Sequence, residues 1–161
     1  MGERDHQRFM RMAIAMAHDS AIVERTGSPF ASVIVREDVV VGAGVNRVPI
    51  DNDPTAHAEV VAIRAACLTV GSYVLAGCTL YSTGEPCPMC YGAAWWARIE
   101  TIFYAATIQD ALDFGDFDDK PIYDAIAQPG PDRAVPAHEL LRDEMVAVWK
   151  EFHAIPGHIH Y

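Results

Sequence analysis

His57, Cys87 and Cys90 can hold one metal ion only if the fold returns the chain to the same point thirty residues on. An imidazole and two thiols are ligand types that zinc takes, and three of them leave a tetrahedral ion with one open position. An open position implies a bound water and chemistry rather than a structural clip. Glu59, two residues past His57, is placed to carry protons beside that water. Cysteines three apart at a helix start share one face, and the positive end of the helix favours their thiolates. A closed structural site would need Cys67 or Cys78 as a fourth ligand. Such sites usually pair a second short-spaced couple, and this chain has none. A redox role for the C-x-x-C would leave Pro86, Pro88 and His57-Ala58-Glu59 without a purpose.

The 161 residues suit one domain, 1–161, with a sizeable core. The formal charge is −10, from 12 basic against 22 acidic side chains. A protein that grips a polyanion shows the opposite sign or a basic stripe, so nucleic acid is not the expected partner. The acidic cluster of Asp110, Asp113, Asp116, Asp118 and Asp119 reads mostly as a solvated loop. Four cysteines, two of them isolated in apolar surroundings, are not a disulfide framework. They point to a reducing, cytoplasmic location, with Cys67 and Cys78 as small buried residues. No apolar run reaches membrane-span length, and the first residues lack the pattern of a signal peptide.

Phe9, Met12, Ala13, Met16, Ala17 and Ala21 recur at helical spacing, predicting a first helix that ends near Thr26-Gly27. Phe30–Val35 and Val39–Val45 predict an antiparallel hairpin, and Asn46–Thr55 a loop. Thr55 is placed to cap a helix from Ala56 to about Val70. Thr79–Ser82 and Thr101–Ala105 read as strands, separated by a helix that Pro88 opens and Ala97 ends. Tyr123–Ala127 and Glu139–His153 read as helices. The order predicts a mixed sheet covered on both faces, with both ligand segments at loop-to-helix junctions.

Thr55-Ala56-His57-Ala58-Glu59 and Glu85-Pro86-Cys87-Pro88-Met89-Cys90 resemble the cytidine deaminase superfamily. Asn52–Glu59, Trp96-Ala97-Arg98, Phe103–Ala106 and Phe117-Asp118-Asp119 with Ile122-Tyr123 are similar to bacterial guanine deaminases within it. The resemblance implies a three-layer α/β/α sandwich around a mixed five-stranded sheet. It also implies zinc on His57, Cys87 and Cys90, Glu59 as the catalytic proton carrier, and hydrolysis of guanine to xanthine and ammonia. Asn46 and Asp119 would then contact the purine, and Phe30 and Trp96 would line its pocket. Guanine offers N1–H and a 2-amino group, which one carboxylate can accept together. The resemblance further implies a homodimer and an aromatic tail, 154–161, that closes over the site from its own or the partner subunit. Tyr161 is its last residue. Ser28-Pro29-Phe30-Ala31-Ser32 departs from the family, where glycines are common around the Pro-Phe. The departure leaves guanosine, 8-oxoguanine, an amino-triazine such as ammeline, or cytosine open as substrates. Adenosine in tRNA and a non-catalytic zinc module are the alternatives of other kinds, and the charge speaks against the tRNA.

Overall fold

A computed structural model describes residues 3–159. Two compact units divide the chain, Met1–Asp119 and Lys120–Tyr161. The first opens with helix α1 (Glu3–His18), extended by a π-helical turn over Asp19–Val23. Strands β1 (Ala31–Arg36) and β2 (Val39–Val45) form the expected hairpin. A single turn, α2 (Val48–Asp51), interrupts the loop expected at 46–55. Helix α3 (Ala58–Val70), strand β3 (Cys78–Gly84), helix α4 (Pro88–Trp96), strand β4 (Thr101–Ala106) and helix α5 (Ile108–Gly115) follow.

The sheet runs β2-β1-β3-β4. β1 is antiparallel to both β2 and β3, while β3 and β4 are parallel and joined through α4 as a βαβ unit. The sheet is mixed, as expected, but has four strands among the described residues where the resemblance implied five. Past Ala106 the chain turns helical. Thr107 and Asp110 form a reciprocal capping box that starts α5, so two aspartates read as loop belong to a helix.

Alternation along the strands separates two cores. Val33, Val35 and Tyr81 pack with Phe9 and Ala13 of α1 on one face. Ile34 and Leu80 pack with Ala62, Ile63 and Ala66 of α3 and Ala94 of α4 on the other. The layering is therefore α/β/α. Cys78 is fully buried in the second core, and Cys67 is only half-buried at its margin.

The seating of α3 on β2 is unusually close. A Cβ at Gly44 would lie 2.8 Å from the Ala58 carbonyl oxygen, and one at Gly42 would lie 2.5 Å from that of Ala62. The facing residues Ala58, Ala62 and Ala66 recur every four positions and are all fully buried. Small side chains on both elements let the backbones approach, and that approach positions the start of α3.

The second unit holds helix α6 (Lys120–Ala127), a 3₁₀ turn at Gly130–Asp132 and helix α7 (Arg142–Ala154). None of these three elements contains a buried residue.

Gly44→Ala is expected to destabilise the protein by about 1–3 kcal/mol. Because the clash is with backbone, α3 itself must shift, and metal affinity falls with stability. Urea midpoints and zinc stoichiometry check this. An unchanged midpoint would show that β2 does not hold α3.

Candidate active site

α3 and α4 begin side by side, and neither is capped in the usual way. His57 is the N-cap of α3 and Cys87 that of α4, both in extended backbone conformation and neither with a side-chain cap hydrogen bond. Polar N-caps commonly contribute about 1 kcal/mol. Here the two cap side chains turn towards each other instead. Thr55, expected to cap α3, lies two residues too early. Its hydroxyl donates to Asp53 Oδ1 at 2.7 Å, inside the preceding turn.

His57 Nδ1 lies 3.8 Å from Cys87 Sγ and 3.6 Å from Cys90 Sγ. All three ligand atoms fall within 4.8 Å of one another. Zn–S bonds of about 2.3 Å and Zn–N bonds of about 2.0 Å at a tetrahedral angle demand an S···N separation of roughly 3.6 Å. The residues fit zinc, with Nδ1 as the histidine donor and no fourth protein ligand in the cluster among the described residues. Cys78 lies in the core and Cys67 at its margin, and neither joins the cluster.

Without metal the thiols share one proton. The hydrogen bond from Cys90 and then that from His57 hold Cys87 down at about 4, against the opposing effect of burial. The same Cys90–Cys87 bond, together with burial, pushes Cys90 well above the thiol range. His57 is pushed up, chiefly by its hydrogen bond to Cys87.

Glu59 sits in the first turn of α3, only 6% exposed. Burial raises its carboxyl above the ordinary value. Ser82 donates to its Oε1 at 3.2 Å, and Cys90 Sγ lies 3.4 Å from Oε2. A buried carboxyl with a raised pKa beside a metal site is a candidate proton carrier.

These groups open into a pocket lined by Phe30, Asn46, His57, Glu59, Glu85, Cys87, Phe117 and Asp119. It lies where β3 ends between an antiparallel and a parallel neighbour, the kind of position where open α/β sheets bind ligands. Phe30 and Phe117 meet edge to face, with ring centroids 5.1 Å apart. A glycine backs each ring. A Cβ at Gly84 would come within 2.9 Å of Phe30, and one at Gly115 within 2.9 Å of Phe117. The Thr83 hydroxyl accepts the Ala31 N–H and donates to the Pro29 carbonyl, which brackets Phe30 from both sides. Asn46 is buried and its Oδ1 accepts from the Val48 N–H, so its amide NH₂ is the donor left for the pocket. Asp119 is half-buried, and desolvation raises its carboxyl.

The pocket thus gathers His57, Glu59, Cys87, Asn46, Asp119 and Phe30 as expected from the sequence. It adds Glu85 and Phe117, each two residues before one already singled out in the same motif. Trp96 does not line it. Cys90 and Ala94 occupy the buried face of α4, so Trp96 is 57% exposed, with the Arg98 guanidinium 5.7 Å from its ring. Tyr161 lies outside the described residues.

Zinc binding must strip the proton that the thiol pair retains. Titrating zinc into metal-free protein above the histidine range is expected to release about one proton per site. The release grows as pH falls through the histidine range, because His57 is increasingly protonated there. Zinc affinity falls in the same direction, since protons compete for the ligands. Indicator-dye titration checks the count, and two protons released well above the histidine range would mean that both thiols are protonated in the metal-free site.

Residues 3–106 match the family described as the cytidine and deoxycytidylate deaminase zinc-binding region. Over 151 residues the chain is 42% identical to the guanine deaminase of Bacillus subtilis, covering 92% of this chain and 96% of that protein. The crystal structure of a Bacillus subtilis guanine deaminase superposes with a TM-score of 0.91 at 38% identity, over 100% of this chain and 99% of the other. A guanine deaminase from Nitrosomonas europaea superposes with a TM-score of 0.64 at 26% identity, over 91% and 84% of the two chains. The tRNA-specific adenosine deaminase of Agrobacterium fabrum is 42% identical over 106 residues, 66% of this chain and 67% of that one. Family match, identity across nearly the whole length and a fitting three-ligand zinc site agree: the chain belongs to the zinc-dependent cytidine and deoxycytidylate deaminase family.

Proposed function

We propose that this protein hydrolyses guanine to xanthine and ammonia. The observation that carries the reading is the meeting of Asn46 and Asp119 with Glu59 and the metal ligands in one pocket. The similarity to guanine deaminases extends past the shared zinc segment, through the stretch that contains Asp119.

Zinc held by His57, Cys87 and Cys90 supplies the Lewis acidity that makes water a nucleophile near neutral pH. The chain's own residues do the rest. Glu59 accepts one proton of the attacking water and passes it to the ring nitrogen beside the carbon under attack; it then takes the second from the hydroxyl on that carbon and gives it to the amine, which leaves as ammonia. Its burial raises the carboxylate's affinity for a proton above the ordinary value. Asp119 accepts from N1–H and the 2-amino group, and Asn46 donates its amide to an acceptor on the purine. Phe30 and Phe117 offer apolar ring surface to the flat base. A buried donor left without its acceptor costs about 1–3 kcal/mol, so a base lacking guanine's donors and acceptors leaves Asn46 or Asp119 unpaired.

The tRNA reading shares the zinc segment but needs phosphate-contacting cations, and the chain carries 12 basic against 22 acidic residues. No helix among the described residues is long and apolar enough to cross a membrane. The free thiols suit a cytoplasmic location. A homodimer is the proposed assembly. Helix α7 leaves Met145, Val148 and Trp149 exposed, and a second copy would cover them. The tail ending at Tyr161 is the proposed lid.

Guanine absorbance should fall with stoichiometric ammonia. The panel of guanine, guanosine, 8-oxoguanine, cytosine, adenine and ammeline should rank guanine first, and a tRNA gel shift at low salt should stay negative. Zinc-loaded protein that turns over no aminopurine would reject the reading. Glu59→Gln should keep its zinc and lose about 10²–10⁴ in kcat. Asp119→Ala should lower kcat/KM for guanine by roughly 10- to 100-fold. Light scattering should give the mass of two chains, and removing 157–161 should raise KM.

A further inference from the structure

Behind Glu59, on the side away from the pocket, lies a short chain of hydroxyls. Ser32 and Ser82 stand directly opposite each other in the antiparallel β1–β3 pair, on the sheet face that carries Ile34 and Leu80 towards α3. Both are essentially inaccessible to solvent. Ser32 Oγ donates to Ser82 Oγ at 3.2 Å, and Ser82 Oγ donates to Glu59 Oε1 at 3.2 Å. The direction is dictated from the far end. An ionised carboxylate only accepts, so Ser82 spends its one proton on Glu59 and takes one from Ser32. The neighbouring positions on both strands face α1 and carry apolar Val33 and Tyr81. On the face towards α3 the two serines stand beside apolar Ile34 and Leu80.

The other carboxylate oxygen behaves differently. Oε2 lies 3.4 Å from Cys90 Sγ. It is therefore the oxygen on the side of the metal ligands, and Glu59 itself lines the pocket.

We propose that Ser82, braced by Ser32, is a positioning residue: it anchors Oε1 of Glu59 and thereby reserves Oε2 as the only oxygen that exchanges protons with the substrate. This rests on the reading of Glu59 as the proton carrier. The pair is an anchor and not a proton wire, because Ser32 is fully buried and, among the described residues, no further side-chain hydrogen bond carries the chain on from it. Every proton Glu59 handles must therefore enter and leave through the pocket. The arrangement holds the carboxylate in one rotamer through a charge-assisted bond, of the class whose loss is felt as a rate effect when it orients a reacting group.

The test uses the zinc-loaded full-length protein. Ser82→Ala should lower kcat for guanine about 10- to 30-fold while KM, zinc content and the melting temperature stay close to wild type. Ser32→Ala should cost less, and the double variant should be no worse than Ser82→Ala alone, because Ser32 acts only through Ser82. An independent readout needs no turnover: the carboxyl ¹³C resonance of Glu59, identified by its disappearance in Glu59→Gln. It should shift in Ser82→Ala and shift less in Ser32→Ala. Should Ser82→Ala fold poorly, Ser82→Cys keeps the volume with a weaker donor, and the same resonance decides. An unmoved resonance, an unchanged kcat, or additive losses in the double variant would overturn the anchor. If the wild type turns over no amino-heterocycle, the functional reading fails, and the resonance alone then decides the role of Ser82.

Discussion

The close approach of α3 to β2 is the constraint on which the rest of the site depends. Where β2 lacks side chains at Gly42 and Gly44, α3 presents Ala58, Ala62 and Ala66, so the two backbones nearly touch. Such packing tolerates no slack, since interiors are as dense as organic crystals. It places His57 at the start of α3 and Glu59 in its first turn, within reach of Ser82 near the end of β3. A larger residue on either side would lift the helix and carry both groups away from the sulfurs.

The second half of the site comes from β3 running into α4. Both helices begin with a residue poor at capping, which leaves a modest loss of helix stability at each N-terminus. In exchange the two cap side chains meet, with Cys90 beneath them. The chemistry of the pocket follows from its burial. Desolvation raises Glu59 and Asp119 together, and Asp119 also feels the negative charge of Cys87. The carboxyls nonetheless stand in different surroundings. Glu59 is fixed by Ser82 and faces the metal ligands, whereas Asp119 closes the far wall with Phe117. Environment, not residue type, separates their roles.

Much of this was legible in the linear pattern. Strand runs at 31–36, 39–45 and 101–106 carry β-branched and aromatic residues between turn residues, and Pro88 marks the first turn of α4. The residues themselves indicate four strands; the fifth was implied only by resemblance. What misled was local context. Thr55 is a good capping residue in the wrong place, because the turn at Asp53 takes its hydroxyl. Asp110 looked like one more charge in an acidic loop, yet with Thr107 it nucleates α5. Trp96 follows the metal-binding motif in sequence but falls on the exposed side of α4, since one helix cannot turn Cys90 and Trp96 to the same face.

The sequence by itself determined the ligand types, their spacing, and therefore the reaction class. Imidazole, two thiolates and a neighbouring carboxylate have few other uses at those separations, and that inference needs no coordinates. Tertiary structure alone decided which groups surround them. Glu85, Phe117, Ser82 and Ser32 come from segments far from His57 in the chain, and no periodicity links them to it. They meet because β1 and β3 pair in a register that sets Ser32 opposite Ser82, and because α3 lies close enough for Glu59 to reach that pair. Ligand identity is a property of residues, whereas the orientation of a buried carboxylate is a property of everything packed around it.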